Sequence, residues 1–229
     1  MPNALDDARA AWRATDGWVL AANAAALAAH LGNTAWRSAD VVYVATLVPL
    51  VVLAARSRRD ATLRWALGFG VTAGFLWAFG EGVFARTFGW WGRYHAAGPR
   101  VWDTPVYCLL VGAQACSHVV YIALRSLDAR LAPGFVAILT GLHALGLSAA
   151  GENLLVAAGM WSYVPWGWMW GAVPVWVVAG YSAAYVSIPW LRRLRAVPAA
   201  ATFTALTFVT GVAAALLVRF QGIAAAAPP

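Results

Sequence analysis

The sequence predicts an all-α, polytopic membrane helix bundle of about seven transmembrane helices with a parallel internal repeat, and three observations predict it. Hydrophobic residues make up 62% of the 229 positions and charged residues only 11%, with a mean hydropathy of +0.67, far from the balance of a soluble domain. Apolar runs long enough to cross a bilayer recur along the chain. The only two glutamates, Glu81 and Glu152, lie inside such runs and are followed by matching residues.

Five runs have the roughly 20 apolar residues that a helix needs to cross about 30 Å of hydrocarbon. They are Leu63 to Phe84, Thr104 to Leu124, Pro133 to Gly159, Gly171 to Leu191 and Ala199 to Phe220. Two weaker runs precede them, Trp18 to Leu31 and Asp40 to Ala55; both are short, and fit a span if tilted or if the bilayer thins locally. Together they form a single transmembrane domain over residues 1–229. Met1 to Asp16 is polar and mixed in charge, without the basic start and cleavage site of a secretory signal, so no removed leader is expected.

The formal charge of +7 comes from arginine alone, because the chain has no lysine. These arginines gather at helix ends, where a topology signal accounts for them and no nucleic-acid partner is needed. Arg56, Arg58, Arg59 and Arg64 follow the second run, Arg125 and Arg130 the fourth, and Arg192, Arg193 and Arg195 the sixth. These are alternate loops, so the expected arrangement is integral to a bacterial cytoplasmic membrane with the N-terminus inside. Arg86, Arg93 and Arg100 stand against that rule in the opposite loop, Ala85 to Asp103. Cys108 and Cys116 are eight residues apart on one helix, about 12 Å along its axis, too far for a disulfide. They read as small apolar residues, and no Cys/His spacing suggests a metal.

Glu81-Gly-Val-Phe-Ala-Arg-Thr-Phe-Gly-Trp-Trp-Gly-Arg-Tyr94 is echoed by Glu152-Asn-Leu-Leu-Val-Ala-Ala-Gly-Met-Trp-Ser-Tyr163. Both carry Glu, then Gly-x-Trp, then Tyr. Thr104-Pro105-Val106-Tyr107 is likewise echoed by Val173-Pro174-Val175-Trp176. Tyr94 to Tyr163 and Pro105 to Pro174 are both offsets of 69. The copies cover approximately residues 63–124 and 133–191. A two-helix period keeps both copies in one orientation, so both glutamates approach the same membrane face.

An ionisable side chain inside an apolar helix costs several kcal/mol unless a cavity or partner meets it, which makes Glu81 and Glu152 the candidate catalytic pair. Trp90, Trp91 and Trp102 lie in the first loop, and Trp161, Trp166, Trp168 and Trp170 crowd the second. Such residues suit a membrane interface, and their faces also attract cations. Candidate substrate-binding residues are Trp77, Trp91, Tyr94, Trp102, Trp161, Tyr163 and Trp176 among the aromatics, with Asn153 beside Glu152. Gln114, His118 and Tyr121 fall at i, i+4 and i+7, with Tyr107 two turns earlier, and are expected to share a face that lines the same cavity, with Tyr107, Gln114 and His118 as further candidates for substrate binding. His143 and Glu152, nine residues apart, are expected on opposite sides of their helix. Asp103, two residues before Pro105, reads as a helix cap.

Glu81 with its following glycines, Gly92-Arg93-Tyr94 and Thr104-Pro105-Val106 resemble the signature of the integral membrane carotenoid-biosynthesis proteins, which include carotenoid hydratases. Gly159-Met-Trp161-Ser-Tyr163 with Val173-Pro174 is similar to the small lycopene cyclases, in which an acidic pair follows the second proline; Val175-Trp176 stands there in this chain. The chain is similar in kind to the membrane-bound terpene cyclases of meroterpenoid pathways. The resemblance spans roughly Leu63 to Leu191 and implies cofactor-free, proton-initiated chemistry on a hydrophobic isoprenoid. One glutamate would serve as general acid and the other as base or water-positioning group, with Trp91, Trp161 and Tyr163 beside the cation. Cyclisation is the leading expectation and hydration the alternative. A proton- or cation-coupled transporter, or an assembly protein whose acids join helices, are the readings from other classes. Oligomeric state stays open.

Overall fold

The computed structural model describes residues 14–88, 92–165 and 167–220, and the side chains of all of these except 78, 81–88 and 218–220. Helices dominate because backbone groups in hydrocarbon must be satisfied within the segment itself. α1 (Ala14–Trp36), α2 (Ala39–Ser57) and α3 (Ala61–Phe88) lead into three short strands, β1 (Gly92–Tyr94), β2 (Arg100–Val101) and β3 (Thr104–Pro105). α4 (Val106–Asp128) and α5 (Pro133–Ala157) follow, then β4 (Trp161–Tyr163), β5 (Met169–Trp170) and β6 (Val173–Pro174). α6 (Val175–Tyr185), the single turn α7 (Ile188–Leu191) and α8 (Ala196–Phe220) end the bundle.

Among the described residues four helices, α2, α4, α5 and α8 as far as Leu217, are long and apolar enough to cross a membrane by length and composition, and the stretch Val175–Leu191 is a shorter apolar unit. The two weak runs are longer helices than the hydropathy implies. The expected Gly171–Leu191 span instead breaks after Tyr185. Pro189 causes this, since its ring clashes with the carbonyl four residues back, that of Tyr185, and it has no N–H to offer.

One end of the bundle is tied by charge. Arg125 on α4 holds Asp16 on α1 through Nε at 2.8 Å and Nη2 at 3.1 Å, and the Tyr121 hydroxyl donates to the same carboxylate at 2.7 Å. Tyr121 is therefore engaged away from the face expected for it. Asp128 accepts from Arg192 at 2.6 Å and from Thr62 at 3.2 Å, and the Arg56 guanidinium lies 4.3 Å from the centre of the Trp18 ring. The start of α1, the α2–α3 junction, the end of α4 and the end of α7 thus share one face, where Arg56, Arg125 and Arg192 from three arginine groups also lie. The strands lie at the other end.

α3 and α4 cross at close range because glycine removes the obstacle. A Cβ at Gly70 would lie 2.5 Å from the Ala113 carbonyl oxygen and 2.7 Å from the Ser117 amide nitrogen, and one at Gly74 2.6 Å from both Ala113 N and Leu109 O. Gly70 and Gly74 form the small-xxx-small spacing that lets membrane helices approach backbone to backbone. Gly70→Leu and Gly74→Leu are expected to lower the thermal midpoint of the purified protein, at a cost at or above the roughly 1–3 kcal/mol of ordinary overpacking. Gly134→Ala, where nothing lies within 4 Å of the added Cβ, is the control that keeps the midpoint. Equal midpoints for all three would show that the α3–α4 crossing does not hold the bundle.

Candidate functional site

The site begins with how α5 stops. Gly159, at φ 74°, donates to the Val156 carbonyl at 2.9 Å while Met160 donates to Leu155 at 3.0 Å, the paired bonds of a Schellman stop that needs a residue in the left-handed region. The chain then turns back as β4. Alternate side chains of a strand face one way, so Trp161 and Tyr163 both face Glu152, two turns back in α5. The Tyr163 hydroxyl donates to Glu152 Oε2 at 2.6 Å and Trp161 Nε1 to the same oxygen at 3.2 Å. Ser162 faces the other way and its hydroxyl meets His95 Nε2 at 2.8 Å.

β4 is held in place by β1. The two pair antiparallel with Gly92 opposite Tyr163, Arg93 opposite Ser162 and Tyr94 opposite Trp161. Gly92 has a φ of 153°, and a Cβ there would run into the Ser162 carbonyl oxygen. Tyr94 meets Trp161 edge to face at 6.1 Å between centroids, and the buried Tyr107 lies parallel to Trp161 at 6.3 Å. The Tyr107 hydroxyl donates to the Met160 carbonyl at 2.9 Å, tying the start of α4 to the end of α5.

Glu152 stands on the wall of a cavity of about 370 Å³ bounded by α1, α3, α4, α5 and α6, within the range of small-molecule sites. Trp77, Tyr94, Gln114, His118 and Trp161 from the expected set line it too. Trp77 meets Tyr181 edge to face at 4.4 Å. Tyr163 reaches the cavity through Glu152, and Tyr107 supports Trp161 from behind. Asn153 is held away from the cavity: it donates to the Ala149 and Trp170 carbonyls at 2.8 and 3.0 Å and accepts from the Ala172 amide at 2.8 Å. It secures the β5–β6 hairpin. Trp102 occupies the turn of the β2–β3 hairpin with φ 56° and packs on Phe79 at 4.2 Å; Trp176 is likewise outside the cavity wall. The side chains of Glu81 and Trp91 lie outside the described residues, and with them the pairing of the two carboxylates.

Three readings change. His143 and Glu152 line one cavity after all, because the wall of α5 follows the row His143, Leu147, Gly151, and rows of i+4 residues wind obliquely around a helix. Asp103 does not take the cap position of α4, which Pro105 holds without a side-chain bond; the Asp103 carbonyl accepts from Arg100 at 3.1 Å. Cys116 is more than a small apolar filler, since its sulfur accepts from the buried Tyr185 hydroxyl at 3.0 Å.

Sequence reasoning missed His30, Asn23, Tyr181 and Tyr185, all on the cavity wall. A signal for α1 was present: Asp16, Asn23 and His30 recur every seven residues, which puts a polar stripe on one helix face. α1 runs antiparallel to α4 with Asp16 against Tyr121, so His30 lies about 21 Å further along, at the depth of Tyr107 and toward the Glu152 end. Among the described residues no group of three or more His, Cys, Asp or Glu is placed to hold a metal ion.

Tyr163→Phe is expected to shift the infrared band of the Glu152 carboxyl, identified by its absence in Glu152→Gln, to that of a carboxyl with one donor fewer, with a stability loss of about 1 kcal/mol. An unmoved band would separate Tyr163 from Glu152. Comparisons with protein-family models, with curated proteins and with solved structures give no match for this chain.

Proposed function

We propose that the chain is an integral membrane isoprenoid-modifying enzyme that protonates a double bond of a polyprenyl or terpenoid substrate and cyclises it through a carbocation. One observation carries this: a carboxyl that accepts from Tyr163 and Trp161 on the wall of a largely aromatic and apolar cavity. The carboxyl proton of Glu152 moves to an alkene carbon, leaving a cation on its neighbour and a carboxylate on Glu152. The faces of Trp77, Tyr94, Trp161 and Tyr181 stabilise positive charge in the cavity by their quadrupoles. An internal double bond attacks the cation, and loss of a proton from the ring cation restores an alkene, so the net reaction is an isomerisation. Glu81 is one candidate for the final base. His30 is the other, being buried on the same wall with Nδ1 lacking a partner among the described residues.

Hydration is the second reading, because Asn23, Gln114 and Ser148 in the same wall offer places for a water that would meet the cation before the internal alkene does. We read the two halves as a duplication. The β2–β3 pairing of Arg100 with Pro105 and Val101 with Thr104 recurs 69 residues on as Met169 with Pro174 and Trp170 with Val173. The bond from Val106 N to Pro99 O recurs as Val175 N to Trp168 O, again 69 residues on.

Glu152→Gln, made in a host that accumulates polyprenoids, is expected to cut product in the extracted lipids by at least about 10²-fold, the low end for loss of a general acid, with the thermal midpoint retained. Glu81→Gln run beside it separates a required second carboxyl from a dispensable one. Unchanged lipid profiles with a folded Glu152→Gln protein would end the enzyme reading.

A further inference from the structure

Glu152 is one polar pole of the cavity; a second lies deeper in the bundle. His118 on α4 and His143 on α5 face each other with 5.1 Å between ring centroids. His143 is nine residues before Glu152, about 13 Å along the helix. Gln114 stands one turn from His118, toward the Glu152 end. All three line the cavity. His118 and Gln114 are each only 6% exposed. His118 Nδ1 is fully buried without a hydrogen-bond partner, and neither imidazole nor the Gln114 amide makes a hydrogen bond to the protein among the described residues. Polar groups left this way inside a bundle cost free energy. His118 and Gln114 are buried in this way, and with the His143 imidazole at the rim of the same space they call for a ligand group that both donates and accepts.

The mouth of the cavity bears on what arrives there. Leu20, Ala24 and Leu27 form one stripe of α1 that lines the cavity and is also exposed, Leu20 by 44% and Leu27 by 42%. His143 is likewise both lining and exposed, near the middle of α5. The cavity therefore opens sideways between α1 and α5, toward lipid, with an imidazole at its rim. No arginine lines the cavity among the described residues, so a phosphate or diphosphate would find no counter-charge.

We propose that His118, His143 and Gln114 form a binding subsite for a neutral oxygen function, a hydroxyl or carbonyl, carried by an otherwise apolar chain whose reacting double bond lies about 13 Å away at Glu152. The isoprenoid character of that chain rests on the function proposed above; the oxygen function rests on the three side chains. The neutral imidazoles and the amide supply both donors and acceptors to one oxygen. The subsite fixes which end of the chain reaches the acid.

The test is binding, without turnover, to the purified protein in lipid nanodiscs, followed by quenching of its tryptophan fluorescence. The probes are geranylgeraniol, the matching C20 hydrocarbon and geranylgeranyl diphosphate. The alcohol is expected to bind at least tenfold more tightly than either of the others. His118→Phe and Gln114→Leu are each expected to remove most of that preference while hydrocarbon binding persists, and this persistence shows that the variants are folded. His143→Phe, at the exposed rim, serves if His118→Phe does not fold. Equal affinities, tighter binding of the diphosphate, no binding of any probe, or a preference unchanged in all three variants would overturn the proposal. Glu152→Gln should keep the preference. Its loss of product in the lipid experiment and a failure of selectivity here therefore report on different claims.

Discussion

The pairing of β1 with β4 is the constraint on which the site depends. Three residues on each side, at one end of a helical bundle, hold Trp161 and Tyr163 over Glu152 and bring Tyr94 against Trp161. A carboxyl in a bilayer has no water to fall back on, so its hydrogen bonds must come from groups that the fold itself fixes. The pairing has little tolerance, because Gly92 adopts φ 153° with the Ser162 carbonyl against its α-carbon. The Met160 carbonyl strengthens the junction by accepting from Tyr107 and from the backbone of His95. The ends of α4 and α5 and both strands therefore move as one body around the acid.

The opposite face solves a different problem. Asp16, Tyr121, Arg125, Asp128 and Arg192 concentrate several charges where the helix ends meet. Asp16 and Arg125 are largely buried, and Arg125 also lies 3.6 Å from Asp128, so the charges here balance one another as a network. This ties α1, whose polar stripe makes it a poor autonomous span, to α4. α1 supplies the cavity wall that carries His30 and the exposed leucine stripe, so the charge cluster at one face sets the shape of the cavity toward the other.

Much of the bundle was legible in the sequence for a physical reason: hydrocarbon admits few backbone solutions, so apolar runs map almost directly onto helices. Glu-x₆-Gly-x-Trp-x-Tyr in the second copy was legible as well, and its spacing now has a cause. The acid sits two turns before the helix stop, the glycine supplies the left-handed residue, and the period of two in a strand aims Trp161 and Tyr163 the same way. The strands escaped notice because two- and three-residue pairings leave no periodicity to read. Asn153, adjacent to the acid, looked like part of the site, yet adjacency on a helix means a turn of about 100°, which sends its amide to the hairpin instead.

The sequence by itself determined the apolar composition, the helical architecture, the arginine-rich helix ends and the spacing of Trp161 and Tyr163 behind Glu152, since each follows from local composition or from spacing within a single copy. Tertiary structure alone decided that His143 shares a cavity with Glu152, that His118 faces His143 and that α1 contributes His30. Those outcomes depend on which helix faces which neighbour and at what depth. Helix–helix contact in a bilayer is set by small residues at the crossing, such as Gly70 and Gly74 against Ala113, and not by a hydrophobic stripe. The hydropathy pattern that reveals membrane helices therefore carries little information about how they are arranged around the cavity.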